Sequence, residues 1–380
     1  VTAILSDYTA TLEGLRRKAR LRSLAPQRGM DFTSNDFLAL AGAPRLKAAI
    51  MAAMERGVPP GAGGSRLLRG NHSEHEALEV EAAEFFGAER MLYFGSGYAA
   101  NSALFSTLPR REDLIVHDAL IHASAHEGVA ASKAASFSAE HSDANAFDEA
   151  IRNWRRKGGR GRPWIAVESL YSMDGDRAPL AALADIAERH EGFLVIDEAH
   201  ATGVFGRNGR GLATGLEGRD NVLALHTCGK ALGVSGALLA VPRVLADYLV
   251  NRARAFIYST APSPLMAAGV REALRMLDDE PERREALERL VAFVGHGLRS
   301  RFGKEPSGSQ IQPVVIGDNA RALRIAETLQ AQGFDIRAIR PPTVPEGTAR
   351  LRLSITLNVD QEQIASMLDC LADAMEKHRK

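Results

Sequence analysis

The sequence predicts an α/β fold, with a mostly parallel central sheet in a large domain and a smaller C-terminal α+β domain. Three observations predict it. Between Met91 and Val241 a short apolar run, then small or polar residues, then a helical pattern recur in that order. The chemically versatile residues follow the carboxyl ends of those runs, the edge at which open α/β sheets bind ligands. After Glu280-Pro281-Glu282 the pattern changes to amphipathic helices around one alternating strand. At 380 residues the chain also exceeds what one hydrophobic core usually holds. The expected division is an N-terminal arm over 1–40, a large domain over 41–279 and a C-terminal domain over 280–380.

In chain order, Leu5, Tyr8, Leu12 and Leu15 are spaced as on a helix, with Arg16, Arg17, Lys18 and Arg20 close behind, which reads as an amphipathic arm with a solvated basic face. Phe32 to Leu38 reads as a short strand and turn, in which Asn35 could cap the next element. Pro59 to Arg66 is a glycine-rich flexible loop. A helix follows over His75–Phe86, apolar along Leu78, Ala82, Phe85 and Phe86.

The apolar runs come next. Met91–Phe94 leads into Gly95-Ser96-Gly97-Tyr98, and Leu114–Val116 leads into His117-Asp118, with His122 shortly after. Trp164–Val167 leads into Glu168-Ser169 and Tyr171-Ser172-Met173-Asp174-Gly175, Phe193–Ile196 into Asp197, and Val222–Leu225 into Thr227. Ala237–Val241 adds a further strand, expected as an antiparallel partner. Continuous apolar runs imply a sheet covered on both faces. In the last domain, Ala322, Ile325, Ala326 and Leu329 mark one helix, and Ile364, Met367, Leu368, Leu371 and Met375 mark another. Between them Leu351, Leu353 and Ile355 alternate with Arg350, Arg352 and Ser354, as in a half-buried strand. The two arginines then lie on its polar face, either solvated or with one clamping a substrate carboxylate.

Composition removes several classes of function. Lys+Arg and Asp+Glu both number 47, so no net field draws nucleic acid or an anionic membrane. Hydrophobic residues at 45% and charged residues at 25% speak against disorder. The basic run Arg152–Arg162 has Trp154 as its one aromatic and reads as solvated surface. Cys228 and Cys370 are too few for a disulfide framework, as expected of a reducing cytoplasm. No signal peptide and no membrane-spanning apolar stretch is read. His72, His75, His126 and His141 show no metal-ligand spacing, so no metal is expected.

Lys230 and Asp197 carry the chemistry. Lys230 follows an apolar strand inside a stretch of glycine and small residues, where partial desolvation frees an amine to act as a nucleophile. Asp197 ends the preceding strand, about one strand–helix–strand repeat earlier, so both are expected at one edge of a parallel sheet. An amine and a carboxylate so placed suit pyridoxal phosphate, which needs a lysine for its Schiff base and an acid to keep its ring nitrogen protonated. Val195-Ile196-Asp197-Glu198-Ala199-His200 also reads as the acidic motif of a helicase. That reading requires an upstream phosphate loop, and the two GK pairs, at Gly229 and Gly303, both lie downstream and lack its pattern. Gly95-Ser96-Gly97-Tyr98 at a helix start could receive a phosphate. His122, flanked by apolar residues, reads on its own as a structural histidine.

The ordered set of motifs resembles the α-oxoamine synthase family of pyridoxal-phosphate enzymes, from about Asn35 to Thr356. It comprises Ser34-Asn35-Asp36-Phe37-Leu38, Gly63-Gly64-Ser65-Arg66, Ser96-Gly97-Tyr98-Ala99-Ala100-Asn101, Tyr171 to Asp176 and Asp197-Glu198-Ala199-His200. Thr227-Cys228-Gly229-Lys230, Tyr258-Ser259-Thr260 and Arg340 to Pro345 complete it. The resemblance implies the aspartate-aminotransferase-like fold, fold type I, and a homodimer with shared sites. It implies that Lys230 binds the cofactor and later removes a substrate proton, that Asp197 meets the ring nitrogen, and that His200 and Ser172 meet the ring hydroxyl. His122 would stack on the ring and meet substrate; Ser96, Gly97, Tyr98 and Thr227 would hold the phosphate, with Thr260 from a second subunit. Arg16, Asn35, Thr343 and Arg352 would face substrate. The implied reaction is a decarboxylative condensation of L-alanine with pimeloyl-CoA or a pimeloyl-carrier protein, in biotin biosynthesis. The alternatives are glycine-using relatives (2-amino-3-ketobutyrate CoA ligase, 5-aminolevulinate synthase) and a non-catalytic pyridoxal-phosphate-binding regulator.

Overall fold

A computed structural model describes residues 3–379. The chain divides into two compact units. One is Leu38–Ser172 with Arg177–Arg284; the other takes the chain up to Phe37, Met173–Asp176 and the chain from Glu285.

After a 3-10 turn at Ala3–Leu5 come α1 (Ser6–Arg17), which buries none of its side chains, and β1 (Met30–Asp31). The larger unit follows with α2 (Pro44–Glu55), α3 (Ser73–Phe86), β2 (Arg90–Phe94), α4 (Gly97–Thr107) and β3 (Leu114–Asp118). It continues with α5 (Ala123–Ala130), β4 (Ala135–Ala139), α6 (Ala144–Arg156), β5 (Pro163–Glu168), α7 (Leu180–Arg189) and β6 (Phe193–Asp197). The last of it is β7 (Val222–Thr227), β8 (Ala237–Val241), α8 (Arg243–Arg252), α9 (Arg254–Ile257) and α10 (Pro264–Asp279).

Seven strands form one sheet in the order β2-β8-β7-β6-β5-β3-β4. The pairs β7–β6, β6–β5, β5–β3 and β3–β4 are parallel, and β8 runs antiparallel to both its neighbours, so the sheet is mostly parallel with one reversed strand. A strand period of two sends alternate side chains to opposite faces. Ala166, Val195, Leu223 and Leu225 enter a core with Ala103, Leu104 and Phe105 of α4 and Val129 of α5. Ile165, Val167, Leu194 and Ile196 enter a second core with Phe147 and Ile151 of α6 and Leu183 of α7. Both faces are therefore covered.

Local signals start and stop the helices. The Ser96 side chain accepts from Ala99 N to cap α4, and Asp143 accepts from Asn145 N and Ala146 N to cap α6. Gly87, at φ 76°, ends α3 in the left-handed region that costs glycine little.

The other unit resumes with α11 (Glu282–Phe302), β9 (Ile311–Gly317), α12 (Asn319–Ala331), β10 (Phe334–Asp335), β11 (Ala338–Ile339), β12 (Ala349–Ser354) and α13 (Gln361–Lys377). Its three-stranded antiparallel sheet has the order β11-β12-β9, and β1 pairs with β10. Ala322, Ile325, Ala326 and Leu329 of α12 are all buried.

Several expectations are corrected. No α-helix joins β6 to β7; residues 198–221 are turns and one 3-10 turn, Arg207–Gly209. Six glycines there, from Gly203 to Gly218, adopt positive φ, a conformation that cannot propagate a helix. Strand β12 is buried at every position, so Arg350 and Arg352 are not solvated on a polar face. Arg350 pairs with Asp174, while Arg352 donates to Ser354 Oγ at 2.7 Å and Asn35 Oδ1 at 2.9 Å. Asn35 thus serves Arg352 and caps no helix; α2 starts at Pro44 behind Ala43. Among the described residues no helix is long and apolar enough to cross a membrane, and no cluster of three or more His, Cys, Asp or Glu could hold a metal.

Candidate active site

The polar groups gather where the core side of the parallel strands runs out. Asp197 continues the face of Val195, Glu168 that of Ala166, and Thr227 that of Leu225, all on the face covered by α4 and α5. Asp197 is 7% exposed and its oxygens are directed from two sides. Oδ1 accepts from Ala199 N at 2.9 Å, and Oδ2 accepts from Asn101 Nδ2 on α4 at 2.8 Å. Asn101 Nδ2 also donates to Ser124 Oγ at 2.9 Å, and Ser124 Oγ lies 2.8 Å from His122 Nδ1. A continuous chain therefore links His122, Ser124, Asn101 and Asp197.

Lys230 lies three residues beyond β7, and its Nζ is 2.8 Å from Nε2 of His200, which is 4% exposed. His200 sits in the turn just past Asp197, held in shape by its neighbour Glu198. The buried Glu198 carboxyl accepts from Leu212 N at 3.0 Å and Ala213 N at 2.5 Å, closing the segment between β6 and β7 into a compact loop. Burial pushes Glu198 up to about 8, against the pull of those N–H donors.

His122 is the exposed N-cap of α5, its Nδ1 accepting from Ser124 N at 3.2 Å. Although the residue as a whole is exposed, partial burial of its ring lowers the pKa; Asp197 opposes that shift and Lys230 reinforces it. The uncharged form of the ring is thereby favoured.

At the start of α4, the N–H groups of Gly97 and Tyr98 precede the first intrahelical bond, made by Ala100 N to Ser96 O. A Cβ placed on Gly97 would come 3.6 Å from Thr227 Oγ1, so the helix start and that hydroxyl border the same small space. Tyr98 is 42% exposed, and Thr260 is exposed in the loop before α10. Ser172 is buried, its N–H donating to Glu168 Oε2 at 3.1 Å.

This donor set fits pyridoxal phosphate: an amine beside an imidazole, a buried carboxylate with fixed oxygens, and a helix start with a hydroxyl for a dianion. The remaining predicted residues belong to the other unit. Arg16 is exposed in the last turn of α1, Thr343 Oγ1 accepts from Arg22 Nη2 at 2.8 Å, and Asn35 and Arg352 are bonded to each other. Two buried groups received no role from the sequence, Asn101 and Glu168. An amide one turn into an alanine-rich helix was the available signal for the first; the second gave none beyond its place at a strand end.

A family model for aminotransferases of class I and II matches residues 27–371. The chain belongs to that family. It is 40% identical over 366 residues to the 8-amino-7-oxononanoate synthase of Chromobacterium violaceum, covering 94% of each chain. Among solved structures, the serine palmitoyltransferase of Sphingomonas wittichii superposes with a TM-score of 0.89 at 26% identity, over 100% of this chain and 99% of that one. The 8-amino-7-oxononanoate synthase of Francisella tularensis gives 0.78 at 28% identity, over 93% and 99%. Within the family the chain is an α-oxoamine synthase, with the fold type I architecture.

Proposed function

We propose that the protein is a pyridoxal-phosphate-dependent acyltransferase of biotin biosynthesis. It condenses L-alanine with the acyl group of pimeloyl-CoA, or of its carrier-protein equivalent, to give 8-amino-7-oxononanoate, CoA and CO2. The 40% identity to a synthase of that name over 94% of the chain supports this substrate pair above the serine palmitoyltransferase likeness at 26%. The observation that carries the chemistry is the Lys230 amine held 2.8 Å from His200 beyond the strand adjoining that of the fixed Asp197 carboxylate.

Bound there, pyridoxal phosphate supplies an electron-accepting ring for the pair left at the amino-acid Cα when a proton or a carboxylate departs. Lys230 Nζ would hold the cofactor through its aldehyde carbon and, when free, would take the alanine Cα proton, its direction fixed by the His200 contact. Asp197, positioned by Asn101 and Ala199 N, would hold a proton at the pyridine nitrogen. His200 and Ser172 would bond the ring hydroxyl. Ser96, Gly97, Tyr98 and Thr227 would receive the phosphate, with Thr260 supplied by a second subunit of a homodimer. His122 would lie against the ring, keep water off it and meet the thioester. Arg352, already oriented by Asn35, clamps the substrate carboxylate in bidentate fashion, and Arg16 and Thr343 bind the rest of the acyl substrate. A reducing cytoplasm is the expected compartment.

The test is to incubate the holoenzyme with alanine or glycine and pimeloyl-, succinyl- or acetyl-CoA and weigh the products. Alanine with pimeloyl-CoA gives 8-amino-7-oxononanoate as the main product. Glycine with a shorter thioester as the best pair would move the protein to a glycine-using relative. Release of CoA without an aminoketone would overturn the acyltransferase reading.

A further inference from the structure

Glu168 and Asp197 end neighbouring parallel strands and are register partners, so their Cα atoms are separated by roughly 5 Å and their side chains leave the same face. Both are buried, Glu168 at 2% and Asp197 at 7% exposed. Two carboxylates this close inside a protein do not both ionise, because each raises the cost of charging the other. Their hydrogen bonds decide which one keeps the charge. Asp197 has a donor on each oxygen, from Ala199 N and Asn101 Nδ2, and such donors stabilise an anion. Glu168 has one oxygen on Ser172 N, while its buried Oε1 has no partner among the described residues.

On this asymmetry, and resting on the pyridoxal-phosphate reading above, we infer that Glu168 is a positioning residue of the cofactor site. It carries a proton on Oε1, leaves Asp197 as the single negative carboxylate on that face, and holds the Ser172 main chain through Oε2. Oε1–H is then a donor directed into the site, and Ser172 Oγ is presented at a fixed height. Other charges agree with this: burial and the Asp197 carboxylate push Glu168 up to about 8, Asp118 adds to them, and Lys230 and the Ser172 N–H pull the other way. Two unprotonated acids would place excess negative charge against one pyridine nitrogen.

The amide of Glu168→Gln reproduces a protonated acid, with a donor at one atom and an acceptor at the other. Glu168→Ala removes both. Three measurements test the inference. In the apoprotein, unfolding is followed from pH 5 to pH 9. A carboxyl raised in the folded state favours folding less and less as pH rises from its unfolded value through its folded one. The native protein therefore loses stability relative to Glu168→Gln across that interval. In the holoprotein, the infrared carbonyl absorption of protonated carboxylic acids loses one component in Glu168→Gln, while the component of the buried Glu198 remains. By cofactor titration, Glu168→Gln binds within about threefold of the native protein, and Glu168→Ala binds at least tenfold more weakly.

Parallel pH profiles of the native and Glu168→Gln apoproteins, or identical acid-band intensity in the two holoproteins, would overturn the inference. So would a Glu168→Gln protein as weak in cofactor binding as Glu168→Ala. Failure of the cofactor reading has a different signature: the native protein itself would show no visible band with pyridoxal phosphate.

Discussion

The two faces of the seven-stranded sheet both end in buried carboxylates at the same edge, and they are treated in opposite ways. On the face covered by α6 and α7, Asp118 at the end of β3 is saturated. It accepts from Leu120 N, Ser142 N and His141 Nδ1, each at 2.8 Å. Burial disfavours its charge, but those donors outweigh burial and hold its pKa below the ordinary carboxylate value. On the face covered by α4 and α5, Asp197 is steadied by only two donors and its register partner Glu168 leaves an oxygen without one. A strand end with a charged residue is therefore not yet a site. Saturation makes such a group a structural fastener, and incomplete saturation leaves chemistry to be done.

Four experiments break or sharpen this contrast. The largest effect is expected from Lys230→Ala, which removes turnover and the visible band of the bound cofactor; substantial turnover in that protein would end the assignment of the active face. Asp197→Asn keeps the shape but removes the charge, and kcat should fall on the order of 10²–10³-fold, as when one preorganised electrostatic group is lost. Asp118→Asn, the matching change on the opposite face, should cost about 1–3 kcal/mol in urea unfolding with kcat nearly unchanged. Its penalty carries a pH signature. Because the folded Asp118 pKa is lowered, its stabilisation is complete above the unfolded value and is lost as pH falls through the folded one. The native and variant curves should therefore converge below about pH 4. A kcat loss in Asp118→Asn equal to that of Asp197→Asn would erase the distinction between faces. The smallest effect is expected for Gly97→Ala. Its new methyl meets Thr227 Oγ1 at an ordinary 3.6 Å, so stability should shift by no more than about 0.5 kcal/mol while cofactor affinity drops several-fold. Unchanged affinity would move the phosphate away from that helix start.

Much of this was legible because β2, β3, β5, β6, β7 and β8 are apolar runs with a polar residue at or beyond one end. Strand β4 was not, since Ala135-Ser136-Phe137-Ser138-Ala139 lies at the sheet margin with four of its five residues exposed and carries little apolar signal. The link from β6 to β7 was misread as a helix from strand spacing alone, although its glycines argued otherwise. Alternation placed Arg350 and Arg352 on a strand, but burial depended on Asp174 and Asn35, partners far away in sequence. Lys230, Asp197 and His200 were visible as strand-end residues of the right chemistry. Asn101 and Glu168 were not, because their meaning comes from a neighbour on another element.

His122 opens a helix with one of its own ring nitrogens. Having accepted the Ser124 main-chain hydrogen, Nδ1 cannot also carry one, so the mobile hydrogen of this imidazole must reside on Nε2. The first turn of α5 thereby selects the tautomer, and any molecule arriving at the Nε2 edge of the ring meets a donor there. An aromatic replacement such as His122→Phe would preserve the flat surface yet forfeit both that polarity and the helix cap, two losses that calorimetry and kinetics can read apart.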